Sequence, residues 1–298
     1  FEQKYPTSAF VPFAKYHLAE RLFARHSYDD AATAFYRFIS ANPQHLLAAD
    51  AQYRIGEAMV ALGRLQQGVA EFQKVVNVYP TSDLADDALH EMGNGLFELE
   101  RPEEAIAALN QLITQFPQSE YADDALLLMG KVLFQAKGYD NAAQALARLG
   151  SEYPNSPLNA EAMLLAGRAY YLQDKYTYGF KAYRKAANLA QDHDLRQEAI
   201  FQMAWGAYML KEYASAMELF QKVIDEYPKT ANAEQARYWK GVIYNAQGDY
   251  LLAGKEFQAF LDEYPKDVGL YQETLWRYAE ALYASNNFTA AREMYGRL

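Results

Sequence analysis

The sequence contains no cysteine, so disulfides and thiolate-held metal sites are excluded. That absence suits an oxidising compartment and a thiol-poor design equally. Histidine is scarce. His17, His26, His45, His90 and His193 are scattered, and none forms an i,i+4 metal pair with a nearby carboxylate. They read as surface or packing residues. Positive charge is also in short supply. The 28 Lys and Arg face 38 Asp and Glu, a net charge of −10, which argues against a nucleic-acid partner. No apolar run approaches the ~20 residues of a membrane span. No signal peptide is visible, and one already removed would leave no trace. There is no G-x-S-x-G elbow, no phosphate loop and no G-x-G-x-x-G turn. The expectation is a protein without catalytic residues, cofactor or metal.

Proline is limited to 10 residues in 298, and its placement carries the first positive signal. Tyr5-Pro6, Asn42-Pro43, Tyr79-Pro80, Phe116-Pro117, Tyr153-Pro154, Tyr227-Pro228 and Tyr264-Pro265 fall on one 37-residue beat, missed once at Gln191. A fixed period of this size marks a repeat architecture. Proline cannot continue a helix and pushes the preceding residue out of the helical region, so each pair should close one helix. Ser8, Ser82, Ser119 and Ser156 stand two residues past a proline, where each is expected to cap the next helix. Pro157 fits a first helical position. At the missed beat, Asp192 or Asp194 is the substitute cap, and a softer joint is expected from Leu189 to Gln197.

Between beats each unit reads as two amphipathic helices. From Ser82 to Phe116, Ala85, Ala88, Leu89, Met92, Gly93, Leu96 and Leu99 recur at helical spacing. Pro102 restarts the chain, and Ala105, Ile106, Leu109, Leu112 and Ile113 form a second stripe. Two short helices with a tight turn make an antiparallel hairpin. Neither can bury its apolar side alone, so the hairpins must stack. Small residues recur at Ala19, Gly56, Gly93, Gly130, Gly167, Ala204 and Gly241, and again at Ala31, Gly68, Ala105, Ala142, Gly179, Ala216 and Ala253. Glycine inside a helix costs roughly 1 kcal/mol relative to alanine, so its return at one register implies close helix contact. A large residue follows at Phe35, Phe72, Leu109, Leu146, Tyr183, Phe220 and Phe257.

At this point the chain resembles the tetratricopeptide-repeat (TPR) family, whose small–small–large–proline pattern matches Gly56, Gly68, Phe72 and Pro80, and likewise Gly241, Ala253, Phe257 and Pro265. The resemblance covers essentially the whole chain. It implies an all-α solenoid, a right-handed superhelix of antiparallel hairpins, here with a 37-residue period rather than the family's usual 34. The repeats would be 7–43, 44–80, 81–117, 118–154, 155–191, 192–228 and 229–265. Residues 1–6 would end a preceding repeat, 266–298 would form an incomplete last one, and one extra residue would fall within Lys266–Gln272. Both ends lack a polar capping helix, so a piece of a longer array is expected. The Tyr-Pro-x-Ser wording looks like bacterial envelope members of the family, the outer-membrane assembly lipoprotein and the Tol–Pal-associated coordinator type.

The family resemblance implies a concave groove lined by the first helix of each unit. One groove column by register is Tyr16, Tyr53, His90, Leu127, Leu164, Phe201, Tyr238 and Trp276. A second is Phe23, Val60, Phe97, Phe134, Tyr171, Tyr208, Asn245 and Tyr283. A third is acidic: Asp50, Asp87, Asp124, Glu161, Glu198, then Gln235 and Glu273. Two readings of these columns stand side by side: rings that pack against neighbouring helices with acids that cap, or rings that meet a partner. The paired acids Asp29-Asp30, Asp86-Asp87 and Asp123-Asp124 fall in first turns, where carboxylates favour the helix dipole. The expected partner site is Arg168, Tyr171, Phe201, Trp205, Tyr208 and Tyr238, because Phe201, Trp205 and Tyr208 share one face of a helix whose other face is already apolar. Tyr16, Tyr53, Phe97, Phe134, Trp276 and Tyr283 form a secondary groove set. The expected role is a protein-binding scaffold, periplasmic or outer-membrane-associated. The alternatives are a regulatory or export arm of a larger envelope protein and a cytoplasmic co-chaperone-like adaptor. The adaptors' Lys and Asn carboxylate clamp meets Tyr53, Glu57, His90 and Asn94 here, an agreement at one residue only.

Overall fold

The computed structural model describes residue 8, residues 10–264 and residues 269–298. Among them are sixteen α-helices and no strand. They pair as hairpins: α1 (Val11–Ala24) with α2 (Tyr28–Ala41), α3 (Ala48–Ala61) with α4 (Leu65–Val78), α5 (Ala85–Glu98) with α6 (Pro102–Gln115), and α7 (Ala122–Gln135) with α8 (Tyr139–Glu152). Then come α9 (Asn159–Tyr171) with α10 (Tyr176–Leu189), α11 (His193–Met209) with α12 (Tyr213–Glu226), α13 (Ala231–Ala246) with α14 (Tyr250–Glu263), and α15 (Tyr271–Ala284) with the short α16 (Phe288–Tyr295). The hairpins form two compact units, one through Tyr153 and one from Pro154, four hairpins each. The stops at Tyr5-Pro6 and Pro265, the tail Phe1–Tyr5 and the start of the Lys266–Gln272 insertion lie outside the described residues.

Each helical stop has a visible cause. Tyr79, Phe116, Tyr153 and Tyr227 all leave helical geometry with ψ between 51° and 65°, one residue before proline. Two of these tyrosines also tie successive links together. The hydroxyl of Tyr79 donates to the carbonyl of Pro43 at 3.3 Å, and that of Tyr153 to Pro117 at 3.0 Å. The link serines act differently from the expected cap. Ser82, Ser119 and Ser156 accept at Oγ from the N–H of Leu84, Tyr121 and Leu158, at 3.2, 3.1 and 3.1 Å. Each therefore closes a side-chain turn just before the helix rather than capping it. Pro157 likewise precedes α9, which begins at Asn159. At two links that lack the serine a side chain caps the helix itself, whereas His45 at a third repeats the serine's turn by accepting from Leu47 N–H at 3.1 Å. Asp192 accepts from Leu195 N–H at 2.8 Å, and Thr230 from Ala233 N–H at 3.2 Å. The helices they start, α11 and α13, are the longest among those described, at 17 and 16 residues.

The small residues do what their register predicts. A Cβ on Gly93 would lie 2.5 Å from Leu109 Cδ2, and one on Gly241 would lie 2.4 Å from the Phe257 ring. Gly56, Gly130 and Gly167 meet Phe72, Leu146 and Tyr183 in the same way. The large residue of each second helix thus fills the space that the first helix leaves open. Phe35, Phe72, Leu109, Tyr183, Phe220 and Phe257 are all fully buried, each contributing ~2 kcal/mol or more of apolar burial.

The tight turn inside each hairpin holds a second 37-residue beat. His26, Gly63, Glu100, Lys137, Asp174, Lys211, Gly248 and, one residue displaced, Asn286 all have φ between 56° and 80°. This left-handed residue ends the first helix. Glycine and asparagine suit it, whereas the other side chains adopt it at a cost.

Candidate protein-binding site

The first groove column turns inward. Tyr16, Leu127, Phe201 and Tyr238 are buried. The rings of this column pack at a tilt or edge-on against the large residue of the same hairpin, 19 positions on: Tyr16 against Phe35, Tyr53 against Phe72, Phe201 against Phe220 and Tyr238 against Phe257, with centroids 5.2–6.2 Å apart. Phe201 and Tyr238 were expected as contact residues, and the structure makes them the wall behind the surface. The same correction holds for Tyr16. Tyr53 is half-buried, and Trp276 is 40% exposed.

The second column sits nearer the hairpin turn. Its rings meet the ring that opens the second helix: Phe23 with Tyr28, Phe134 with Tyr139, Tyr171 with Tyr176, Tyr208 with Tyr213, and Tyr283 with Phe288. Phe97 and Phe134 are half-buried, and Tyr283 is exposed. Tyr171 is buried instead. Its hydroxyl donates to the Gln202 carbonyl at 2.8 Å, and desolvation drives its pKa well above the ordinary tyrosine range. Gly179 and Gly206 leave it room, since a Cβ on either would collide with its ring or hydroxyl. Tyr171 is thus a keystone between α9, α10 and α11.

The acidic column serves the stacking of repeats. Tyr16 donates to Asp50 of the next hairpin, Tyr238 to Glu273 at 3.3 Å, and Arg168 lies 3.4 Å from Glu198. Tyr121 donates to Asp87. These bonds join neighbouring first helices, a role the sequence reading had divided between capping and partner contact.

On α11 and α13 the rings form two sets of contacts, one around Trp205 and one around Tyr208. Trp205 lies 5.4 Å from Tyr171 and 5.9 Å from Tyr176. Tyr208 lies 5.0 Å from Trp239 and 6.1 Å from Tyr213. Trp205, Tyr208 and Trp239 are all half-buried, packed by one side onto the core while the other side meets solvent. Arg168 is exposed on α9, paired with Glu198 of α11. The sequence reading named Arg168, Trp205 and Tyr208, of which the first is exposed and the other two half-buried, and passed over Trp239, choosing its neighbour Tyr238 by register. The signal that could have found it is simple: Trp205, Trp239 and Trp276 are the chain's 3 tryptophans, and each lies on a first helix. Among the described residues no group of His, Asp and Glu is arranged to hold a metal, and no helix is long and apolar enough to cross a membrane.

Comparison with known proteins agrees with this geometry. Sequence profiles described as tetratricopeptide repeat match residues 50–82, 96–158, 198–230 and 235–267, together more than half of the chain. No curated protein matches it. Among solved structures, the C-terminal part of a TPR repeat-containing protein from Cytophaga hutchinsonii is 14% identical, with a TM-score of 0.63, covering 85% of this chain and 96% of its own. A tetratricopeptide repeat protein from Parabacteroides merdae is 17% identical, with a TM-score of 0.50 and coverages of 90% and 98%. YrrB, described as a TPR protein with an unusual peptide-binding site, is 19% identical, with a TM-score of 0.50 and coverages of 66% and 95%. At these identities the likeness speaks to the fold alone. Profile matches, hairpin geometry and the small–small–large–proline register coincide, and the chain belongs to the tetratricopeptide-repeat family, whose members generally mediate protein–protein interactions.

Proposed function

We propose that this chain is a non-catalytic scaffold that holds a segment of a protein partner on the ring surface of α11 and α13. The observation that carries the reading is that Trp205, Tyr208 and Trp239 are all half in solvent on α11 and α13, with the exposed Arg168 of α9 paired to Glu198 of α11. Tryptophan, tyrosine and arginine are the residue types that dominate binding hot spots. Rings fixed by packing on one side lose little conformational freedom when a partner covers the other. The buried Tyr171, Phe201 and Tyr238 hold the exposed rings in place. A further part of the proposal sets this scaffold in a bacterial cell-envelope assembly, a reading that rests on the Tyr-Pro-x-Ser links alone. Fractionating cells that carry the full gene tests that part separately.

A displayed random-peptide library selected on the whole chain tests the site. Enriched peptides should bind the parent protein and change its tryptophan emission, because two of its three tryptophans line the surface. They should bind the Trp205→Ala/Tyr208→Ala variant at least about tenfold more weakly, a loss of ~1.4 kcal/mol. Equal binding by the two proteins refutes the site.

A further inference from the structure

The two units carry different charge. Residues 1–153 contain 20 Asp and Glu against 12 Lys and Arg, whereas residues 154–298 contain 18 against 16. The net charge is therefore −8 in the first unit and −2 in the second, a difference that comes mainly from fewer Lys and Arg in the first. One register of the first helices shows the change. Its occupants are Glu20, Glu57, Asn94 and Lys131 in the first unit and Arg168, Trp205 and Val242 in the second, so its carboxylates are confined to the first two hairpins. The ring surface proposed above thus has an acidic counterpart on the corresponding helix face of α1 and α3.

That face already holds one guanidinium. Arg54 sits 3.2 Å from Glu20 and 2.8 Å from Glu57, with its guanidinium carbon 5.5 Å from the centre of the Phe23 ring. Two carboxylates and an aromatic face are what a guanidinium favours. One repeat further on, the register position of Arg54 is occupied by Glu91. Around it stand Glu57 and Asp87, and all three carboxylates act on Tyr53. The planar groups are present as well: Tyr53 on α3, and His90 stacked on Tyr121 at 4.6 Å. His90 lies 3.5 Å from Glu91 and, when protonated, is that carboxylate's neighbouring cation. Burial outweighs the neighbouring attractions at Glu20, Glu57 and Asp87 and pushes each carboxyl upward. Among Glu57, Asp87 and Glu91, Arg54 pairs with Glu57 and His90 with Glu91.

We propose that this face of α3 and α5 docks a positively charged, arginine-bearing segment of a protein partner, with a guanidinium entering between Glu57, Asp87 and Glu91 beside the rings of Tyr53 and Tyr121. The partner repeats, one hairpin along, the arrangement that Arg54 makes internally. The inference rests on the general reading that the array binds protein segments. It stands apart from the ring surface of α11 and α13, which belongs to the other unit.

The test uses the whole chain and short labelled peptides of alternating Arg and Ser, Lys and Ser, and Glu and Ser, read by fluorescence anisotropy. The Arg peptide should bind best, the Lys peptide more weakly and the Glu peptide not at all, with affinity falling as salt rises. The variant Glu57→Gln/Asp87→Asn/Glu91→Gln should bind the Arg peptide about tenfold more weakly, as expected for the loss of three partly exposed ion pairs. Asp83→Asn/Glu103→Gln/Glu104→Gln removes the same number of charges from the link and α6 and should bind as the parent does. So should Trp205→Ala/Tyr208→Ala, which separates this proposal from the ring site. Circular dichroism checks each fold, and Glu91→Gln alone carries the test if the triple variant loses helix. The proposal is overturned if the control triple weakens binding as much as the face triple, or if the Arg peptide binds no better than the Glu peptide.

Discussion

The left-handed residue of each hairpin turn offers a direct test of how the repeats are built. Replacing Glu100 and Lys137 with glycine should stabilise the first unit. A side chain with a Cβ loses about 1–2 kcal/mol in the left-handed region. Glycine avoids that loss but gives up about 0.5–1 kcal/mol more backbone entropy on folding. The difference is a gain of about 0.5–1 kcal/mol per site, or about 1–2 kcal/mol for the pair. The two turns line one cavity, with Glu100 and Pro102 facing Gln135 and Ala136, so the single variants are measured beside the pair to check that the gains add. In a unit of this size the thermal midpoint should rise by about 3–6 °C. Circular dichroism during heating reads it, with a urea series as a second measure, because stacked repeats can melt in stages. Gly63 supplies the control, since its φ is already 71° with open space around it. Gly63→Ala should lower the midpoint by an amount worth ~1 kcal/mol. His26→Gly and Asp174→Gly should gain less, because each gives up a bond to the ring hydroxyl of Tyr28 or Tyr176, at 2.7 and 2.6 Å. A midpoint that stays put or falls in Glu100→Gly/Lys137→Gly would refute the claim that these turns store strain.

Gly93→Ala should destabilise the first unit by about 1–3 kcal/mol in urea unfolding, because its Cβ would press on Leu109. Asp192→Ala should cost about 1 kcal/mol through loss of the α11 cap, with hydrogen exchange rising at Leu195 and its neighbours rather than across the unit. Lowering the pH from neutral toward the ordinary carboxylate range should stabilise the first unit through Glu20, Glu57 and Asp87, whose folded pKa values are raised chiefly by burial, since stability tied to a raised carboxyl is lost as pH climbs through its folded value. Glu20→Gln/Glu57→Gln should shrink that gain in a thermal melt, and an unchanged pH dependence would contradict the assignment.

The hairpins were legible because each of their causes is local. A proline stop, a small residue facing a large one and a helical stripe each leave a mark within a few positions, and repetition multiplies the signal. The structure returned the register at Gly56 and Phe72, and at Gly241 and Phe257, as read. The serines misled because sequence shows a side-chain oxygen near a helix start without showing which N–H it meets. At Ser82 the oxygen meets Leu84, inside a turn that precedes α5. The left-handed beat went unseen for a related reason. Only Gly63, Gly248 and Asn286 look like turn residues, and Glu100, Lys137 and Lys211 carry no chemical mark of the backbone they adopt.

The site was harder to read, and the reason lies in geometry of about one residue. Tyr238 and Trp239 are adjacent on one helix, both aromatic, and only about 100° apart around its axis. That rotation decides whether a ring packs against Phe257 or stands beside Tyr208 in solvent. Register across repeats assigns a column to the first helix but not a depth to the column, because depth depends on what the second helix of the same hairpin places opposite. Tyr171 shows the same limit from the other side. It shares a column with the exposed Tyr283 and the half-buried Phe97, yet it is buried because Gly179 and Gly206 remove the two Cβ atoms that would exclude it. A ring in a repeat array is therefore core or surface according to the small residues facing it. Those small residues, more than the rings themselves, determine where this chain presents a surface to a partner.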